Sequence, residues 1–382
     1  MRTTVVAALS FAALVVRVPS AQEPVPTVAA PRDVAALLEP IRVAHDLPGL
    51  IGLTLEGERV VALGATGLRK SGNDTKILAT DRVHIGSCAK AITATLCARL
   101  VQQGKLRYDS TLAEVFPDAA GKMHESWRGV TLEQLLQHRS GAPANVKPDR
   151  SGSARKQRDR IFAAVIAAPT ATPPGSAYEY SNVGYTLAGH MAEQVAGIDF
   201  EELVLRDVFA PLSIESAGFG APGVASALSQ PRGHKEMGLA IEPGPAADNP
   251  LGIAPAGAIH MAIEDWAKFV ALHLAGEKDG WRTAAGETLL PAEAFAKLHA
   301  PPEGGDYACG WAVAKRPWAG GRVLTHSGSN TMWYCTTWLA PERGFALLVA
   351  TNQGGAKAAK GCDAAVGALL QEYLKSQTGK AK

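Results

Sequence analysis

Residues 85–104 read IGSCAKAITATLCARLVQQG, and this stretch decides how the rest of the chain is arranged. Ile92, Leu96 and Leu100 recur every four residues, with Ala89 leading. That spacing predicts an amphipathic helix from Ser87 to about Gln103, and Gly104 is its stop signal. Ser87 and Lys90 stand three apart at its start, so they share a face. Backbone N–H groups at a helix N-terminus disfavour an ammonium, and burial lowers a lysine pKa further. A neutral lysine beside a serine hydroxyl makes a Ser-Lys nucleophile. The four-residue pattern is weak alone, because Ser87 also reads as an ordinary N-cap. A second copy, Ser153-Ala154-Arg155-Lys156, lies in a basic polar run and reads as a solvated helix start.

Upstream, Leu50–Leu55 and Arg59–Gly64 predict a hairpin through Glu56-Gly57-Glu58, and residues 33–45 carry helical spacing. Downstream, Leu132–Gln137, Ile161–Ala167, Val183–Val195 and Phe200–Val208 predict helices, broken by Pro/Gly clusters. Ala258–Leu274 and Pro291–His299 predict two more helices. Strands are expected at 307–314, 321–326, 332–339 and 344–351, followed by a closing helix over Gly361–Leu374. The expected fold is α/β of the α+β type: an antiparallel sheet flanked by helices, with a mainly helical lobe inserted. The α/β lobe would comprise 33–85 and 241–376, and the helical lobe 86–240.

Two further polar elements lie far from Ser87 in sequence. Tyr180-Ser181-Asn182 follows Pro173-Pro174-Gly175, so it sits on a loop with a helix beginning after it. A tyrosine hydroxylate near a lysine can move protons between nucleophile and leaving group. An asparagine amide can hold a substrate carbonyl and the lysine together. His326-Ser327-Gly328 ends a strand, where glycine lets a substrate lie close to the edge. Backbone N–H groups beyond it are candidates to complete an oxyanion hole with the N–H of Ser87.

The order of these elements resembles the serine β-lactamase-like superfamily of class C β-lactamases, D,D-peptidases and related esterases. Further stretches carry the resemblance: Leu135-Leu136-Gln137-His138-Arg139-Ser140-Gly141, Tyr180-Ser181-Asn182-Val183-Gly184-Tyr185, Pro255-Ala256-Gly257, Gly310-Trp311 and Thr351-Asn352. It covers about residues 33–375. The resemblance implies a β-lactamase/transpeptidase-like fold, acylation of Ser87, and acid–base work shared by Lys90 and Tyr180. It implies substrate binding by Asn182, His326, Ser327 and Gly328, and an oxyanion hole from the N–H groups of Ser87 and Ser329. It implies no metal and no cofactor. Where relatives carry Lys-Thr/Ser-Gly, this chain has His326, which grips a substrate carboxylate less firmly. Lys70-Ser71-Gly72 matches the missing motif but precedes the nucleophile. Met332 stands where the family often has glycine, and either reshapes the cleft or packs into the core.

The chain has 382 residues, 47% hydrophobic and 19% charged, with a net charge of +2. Nothing basic or aromatic enough for nucleic acid is present. Residues 1–21 read as a secretory signal, with Arg2, an apolar Thr3–Val16 and small residues at Val18-Pro19-Ser20-Ala21. An uncleaved anchor is the other reading of that stretch. The Pro-rich residues 22–32 read as a linker. The expectation is a periplasmic or secreted monomer without a stable span, acting on a small-molecule or peptidoglycan-like substrate. Five cysteines without a CxxC pair disfavour structural zinc; they read as buried thiols. Cys88 and Cys97 face opposite sides of one helix. Gly218–Gly223 satisfies GxGxxG but follows no clear strand, and His234 reads as a loop residue. The competing function is a non-catalytic cell-wall or ligand-binding protein that keeps the fold.

Overall fold

In the computed structural model, residues 29–382 are described, apart from 148–149, 284–285 and 381–382. The signal segment 1–21 and most of the expected linker lie outside the described residues. At the linker's end, Arg32–Asp33 forms a short strand pairing in parallel with Ala62 and Leu63.

Both ends of the chain build one seven-stranded sheet. Gly49–Glu56 and Arg59–Gly67 form the expected hairpin, with Glu56 paired to Arg59. Its two-residue turn needs a positive φ, which Gly57 supplies at +58°. The Phe345–Thr351 strand joins the hairpin to the late strands Tyr334–Ala340, Gly321–Ser329 and Ala312–Arg316, all antiparallel. Phe345–Thr351 lies mid-sheet, and every residue in it is buried. Its side chains alternate. Phe345, Leu347 and Val349 enter a core with helices Ala35–Ala44 and Ala356–Lys380, through Leu38, Cys362, Leu369 and Tyr373. Ala346, Leu348 and Ala350 enter the larger core shared with Ile92, Trp266 and Phe269. Burying a large aliphatic side chain contributes about 1.5–3 kcal/mol, so a strand sandwiched this way anchors both layers.

Three expectations change. The apolar run at 258–274 is not one helix: Ile259–Ala262 is a strand, and the helix runs Ile263–Asp279. The strand is buried on both faces, so its periodicity merges with that of the following helix. The strand expected over 307–314 starts only at Ala312; Gly310 ahead of it has φ +84°. The helix carrying Lys90, Ala89–Gln102, is not amphipathic: only Arg99, Val101 and Gln102 escape burial. Its alanines and threonines are small enough to let it run through the protein's centre. Its hydroxyls are satisfied locally, Thr93 donating to Pro255 O (2.7 Å) and Thr95 to Ala91 O (2.9 Å).

Candidate active site

Ser87 sits in a tight turn, Gly86–Cys88, that runs directly into the buried helix. Lys90 is wholly buried there. Its Nζ lies 2.8 Å from Asn182 Oδ1, 2.8 Å from Ala256 O and 3.1 Å from Ser87 Oγ. The two carbonyl oxygens can only accept, so Nζ donates to both. In its neutral form the amine has a lone pair free for the Ser87 hydroxyl. Burial lowers the Lys90 pKa to about 7, so the neutral amine is accessible near neutral pH.

Asn182 begins helix Asn182–Ala196, which Ser181 caps by accepting from Gly184 N at 2.8 Å. His138 holds the loop from behind: its Nδ1 accepts from Ser181 N at 3.0 Å. Burial pulls His138 down to about 2, so it stays neutral. The Tyr180 ring packs 4.4 Å from the His138 ring and 4.7 Å from Lys90 Nζ. Its phenol meets the Ser87 hydroxyl. Although 36% of Tyr180 is exposed, its hydroxyl end is packed, and burial raises its pKa despite the Ser87 contact. The expected hydroxylate is therefore a protonated phenol at rest. Desolvation penalises both charged forms, keeping the phenol protonated and bringing the lysine down to about 7.

The Gly321–Ser329 strand passes against the turn that carries Ser87. A Cβ on Gly328 would stand 2.0 Å from Ile85 O and 2.9 Å from Ser87 N. One on Gly86, where φ is +49°, would stand 2.3 Å from Ser329 N. The two glycines let the backbones touch, which brings the amides of Ser87 and Ser329 to the same end of the site. His326 is mostly buried, with Nε2 3.0 Å from Tyr307 Oη and Nδ1 2.7 Å from Ser327 O. The carbonyl can only accept, so Nδ1–H donates to it, and Nε2 and the Tyr307 hydroxyl share the other bond. Ser327 is exposed on the strand.

Met332 is 5% exposed and belongs to the core, with its N–H on Asn330 Oδ1, so it fills the interior rather than the cleft. His234 is not a loop residue: it is a buried strand residue, with Nδ1 2.7 Å from Asn352 O and Nε2 accepting from Ser71 N. Lys70 pairs with Glu242 (2.6 Å). Gly218–Phe219 is a short strand. All five cysteines are free and buried. Among the described residues, no acid, histidine and cysteine cluster suits a metal. Ala256 O and His138 were legible only as parts of longer matching stretches, because a carbonyl acceptor leaves no mark on residue type.

The family model for Beta-lactamase matches residues 34–371. The chain belongs to the β-lactamase family. This β-lactamase-family chain is a serine hydrolase, related to enzymes that act on amide or ester bonds. It is 26% identical over 324 residues to penicillin-binding protein 4 of Amycolatopsis lactamdurans, covering 82% of this chain and 83% of that one. It is 25% identical over 321 residues to the unguisins hydrolase ungD' of Aspergillus campestris, covering 80% of this chain but 58% of the longer fungal one. The class C beta lactamase structure from Rhodobacter sphaeroides shares the fold, with a TM-score of 0.70 at 18% identity over 89% of this chain and 99% of that one.

Proposed function

We propose that this protein is an exported, monomeric hydrolase that cleaves esters or amides through an acyl-enzyme on Ser87. One observation carries the reading: a wholly buried lysine whose Nζ stands within hydrogen-bond distance of the Ser87 hydroxyl and of two carbonyl oxygens. In this scheme Lys90 Nζ takes the proton as Ser87 Oγ attacks the substrate carbonyl carbon. The resulting oxyanion accepts from the N–H groups of Ser87 and Ser329. The phenol of Tyr180 relays a proton to the leaving group, which departs as the carbonyl re-forms. Water then attacks the acyl-enzyme and releases the acid, with the same groups acting in reverse. Asn182 holds the substrate beside the lysine, and Ser327 and Gly328 present the strand edge to it. His326 supports that edge from behind. No cofactor enters the scheme. No helix among the described residues is long and apolar enough to cross a membrane.

A cavity of ≈ 240 Å³ adjoins Asn182, lined by Val183, Pro250, Ile253, Asn145 and Asn249 among others. Its wall is aliphatic and amide, and His326 offers no fixed cation. These features support a neutral acyl donor, an ester or peptide-like amide, over one recognised by its carboxylate.

The test is labelling with a fluorophosphonate, read by mass, alongside turnover of nitrocefin, a D-Ala-D-Ala peptide and p-nitrophenyl acyl esters. The expected result is a single covalent adduct and ester turnover, both lost in Ser87→Ala. Wild-type protein that neither labels nor turns over any substrate in the panel would instead support the ligand-binding reading.

A further inference from the structure

Behind the nucleophile turn lies a buried polar cluster that the acyl-transfer scheme leaves unused. His84 closes the strand Arg82–His84 and is wholly buried. Its Nδ1 accepts the N–H of Gly86 at 3.1 Å. On the ring's other side, Nε2 stands 2.8 Å from Asp248 Oδ1. That same carboxylate oxygen accepts from Asn330 Nδ2 at 2.9 Å. Asn330 Oδ1 in turn accepts the N–H groups of Met332 (3.2 Å) and Trp333 (3.1 Å), which sets the turn leaving Ser329. Asp248 is 5% exposed. Burial pushes its carboxyl up, yet the contacts to His84 and Asn330 outweigh this and hold it below its ordinary value.

One oxygen therefore ties two turns together. Through His84 it fixes Gly86, whose neighbour supplies the Ser87 N–H. Through Asn330 it fixes the residue following Ser329. These backbones already touch at Gly86 and Gly328, so a small rotation of either turn changes the gap between the two amides. Burying a carboxylate beside an imidazole is expensive, and an apolar pair would fill the space at less cost. A costly polar group next to reacting backbone is where function overrides stability.

We propose that Asp248 is a positioning residue that sets, through His84 and Asn330, the spacing of the two oxyanion-binding amides. The proposal rests on the acyl-transfer reading above. It differs from a general bracing role because it acts on one atom of the substrate, the carbonyl oxygen. A thiocarbonyl sulfur accepts hydrogen bonds weakly, so an oxoester gains from a well-set pair of amides and its thionoester counterpart gains little.

The experiment measures kcat and KM of the full chain for a p-nitrophenyl ester and the matching thionoester, in wild type, Ser87→Ala, Asp248→Asn, His84→Leu and His84→Gln. Losing one oxyanion donor costs about 100- to 1,000-fold in kcat, and misplacing one should cost less. The expected result for Asp248→Asn and His84→Leu is an oxoester kcat about 10- to 100-fold lower, with KM within about threefold and the oxo-to-thiono ratio falling in step. His84→Gln keeps an acceptor for Gly86 N–H and should recover much of that ratio. A loss shared equally by both esters, or folded variants with wild-type kcat, would overturn the positioning role. Should the Asp248 variant unfold, the His84 pair decides. Turnover that survives in Ser87→Ala would sink the acyl-transfer reading itself, a different outcome from an unmoved ratio.

Discussion

Replacing Lys90 with methionine should expose the cost of keeping an uncharged amine in the protein's centre. Burial brings the group from an ordinary 10.5 down to about 7, a difference of roughly 5 kcal/mol between protonation states. The direction in pH follows. The unfolded chain holds the lysine proton up to about 10.5, whereas the folded chain releases it above about 7. Between those values the unfolded state binds more protons, so wild-type stability rises with pH. The penalty is complete below about 7 and vanishes above 10.5. Lys90→Met lacks this titration. It leaves Asn182 Oδ1 and Ala256 O without their donor, at about 1–3 kcal/mol each, but that cost does not change with pH. The measurement is urea unfolding of both proteins from pH 6 to 9.5, taking the difference in unfolding free energy. The expected difference is flat below pH 7, then moves in favour of wild type by about 3 kcal/mol by pH 9.5. Acylation should be lost in the variant, while wild-type kcat/KM climbs with pH through about 7. A stability difference that stays level across the range would mean the amine is protonated in the folded state. The lone-pair argument would then fail with it.

Two further outcomes test the frame around the site. Gly328→Ala places a methyl group 2.0 Å from Ile85 O, so strand and nucleophile turn must separate. Ester kcat/KM should fall at least about 100-fold, and retention of wild-type activity would show that their contact does not set the amides. Arg158 is wholly buried and holds Glu193 (2.6 and 3.0 Å) and Glu201 (2.7 and 2.9 Å) two-pronged. Arg158→Ala strands Glu193 and should cost about 3–5 kcal/mol in urea unfolding. Burial alone would raise Glu193, but His190 and Arg158 lower it to about 2, so its contribution is present above about 4.5 and is lost as pH falls toward 2. A mutant whose stability deficit is the same at pH 3 and pH 7 would refute that assignment.

The hairpin and the late strands were legible because a sheet covered on two faces imposes strong local patterns: Leu50–Leu55 and Phe345–Thr351 are nearly all apolar. The helical pieces of 132–208 were legible from their spacing and their Pro/Gly breaks. One strand was read as helix, and one correctly placed helix was given a polar face it lacks, for one reason. Ile259–Ala262 and Ala89–Gln102 are buried on nearly all sides, and full burial erases the contrast that distinguishes a strand from a helix or one helix face from another. The site divides in the same way. Ser87, Lys90, Tyr180 and Asn182 stand in short motifs, and the structure brings them together. His84, Asp248 and Asn330 are scattered over nearly 250 positions, and only the fold makes them neighbours.

The two Ser-x-x-Lys copies show what the spacing contributes and what it leaves to context. Ser153 caps helix Ala154–Ile166, its Oγ accepting Lys156 N at 3.3 Å, and Lys156 is exposed. Ser87 and Lys90 have the same separation and the same place at a helix start, yet Lys90 is wholly buried. The difference lies in the residues that follow. Gln157, Arg158, Asp159 and Arg160 require water or partners around the first helix, whereas Ala91, Thr93, Ala94 and Thr95 let other backbones close over the second. Ala256 O and Asn182 Oδ1 come with that closure. In water an ammonium keeps its proton whatever serine stands three residues before it. In a dry interior burial brings its pKa down to about 7. The buried Ser87–Lys90 pair is therefore a property of the small residues in the helix as much as of the serine and lysine themselves.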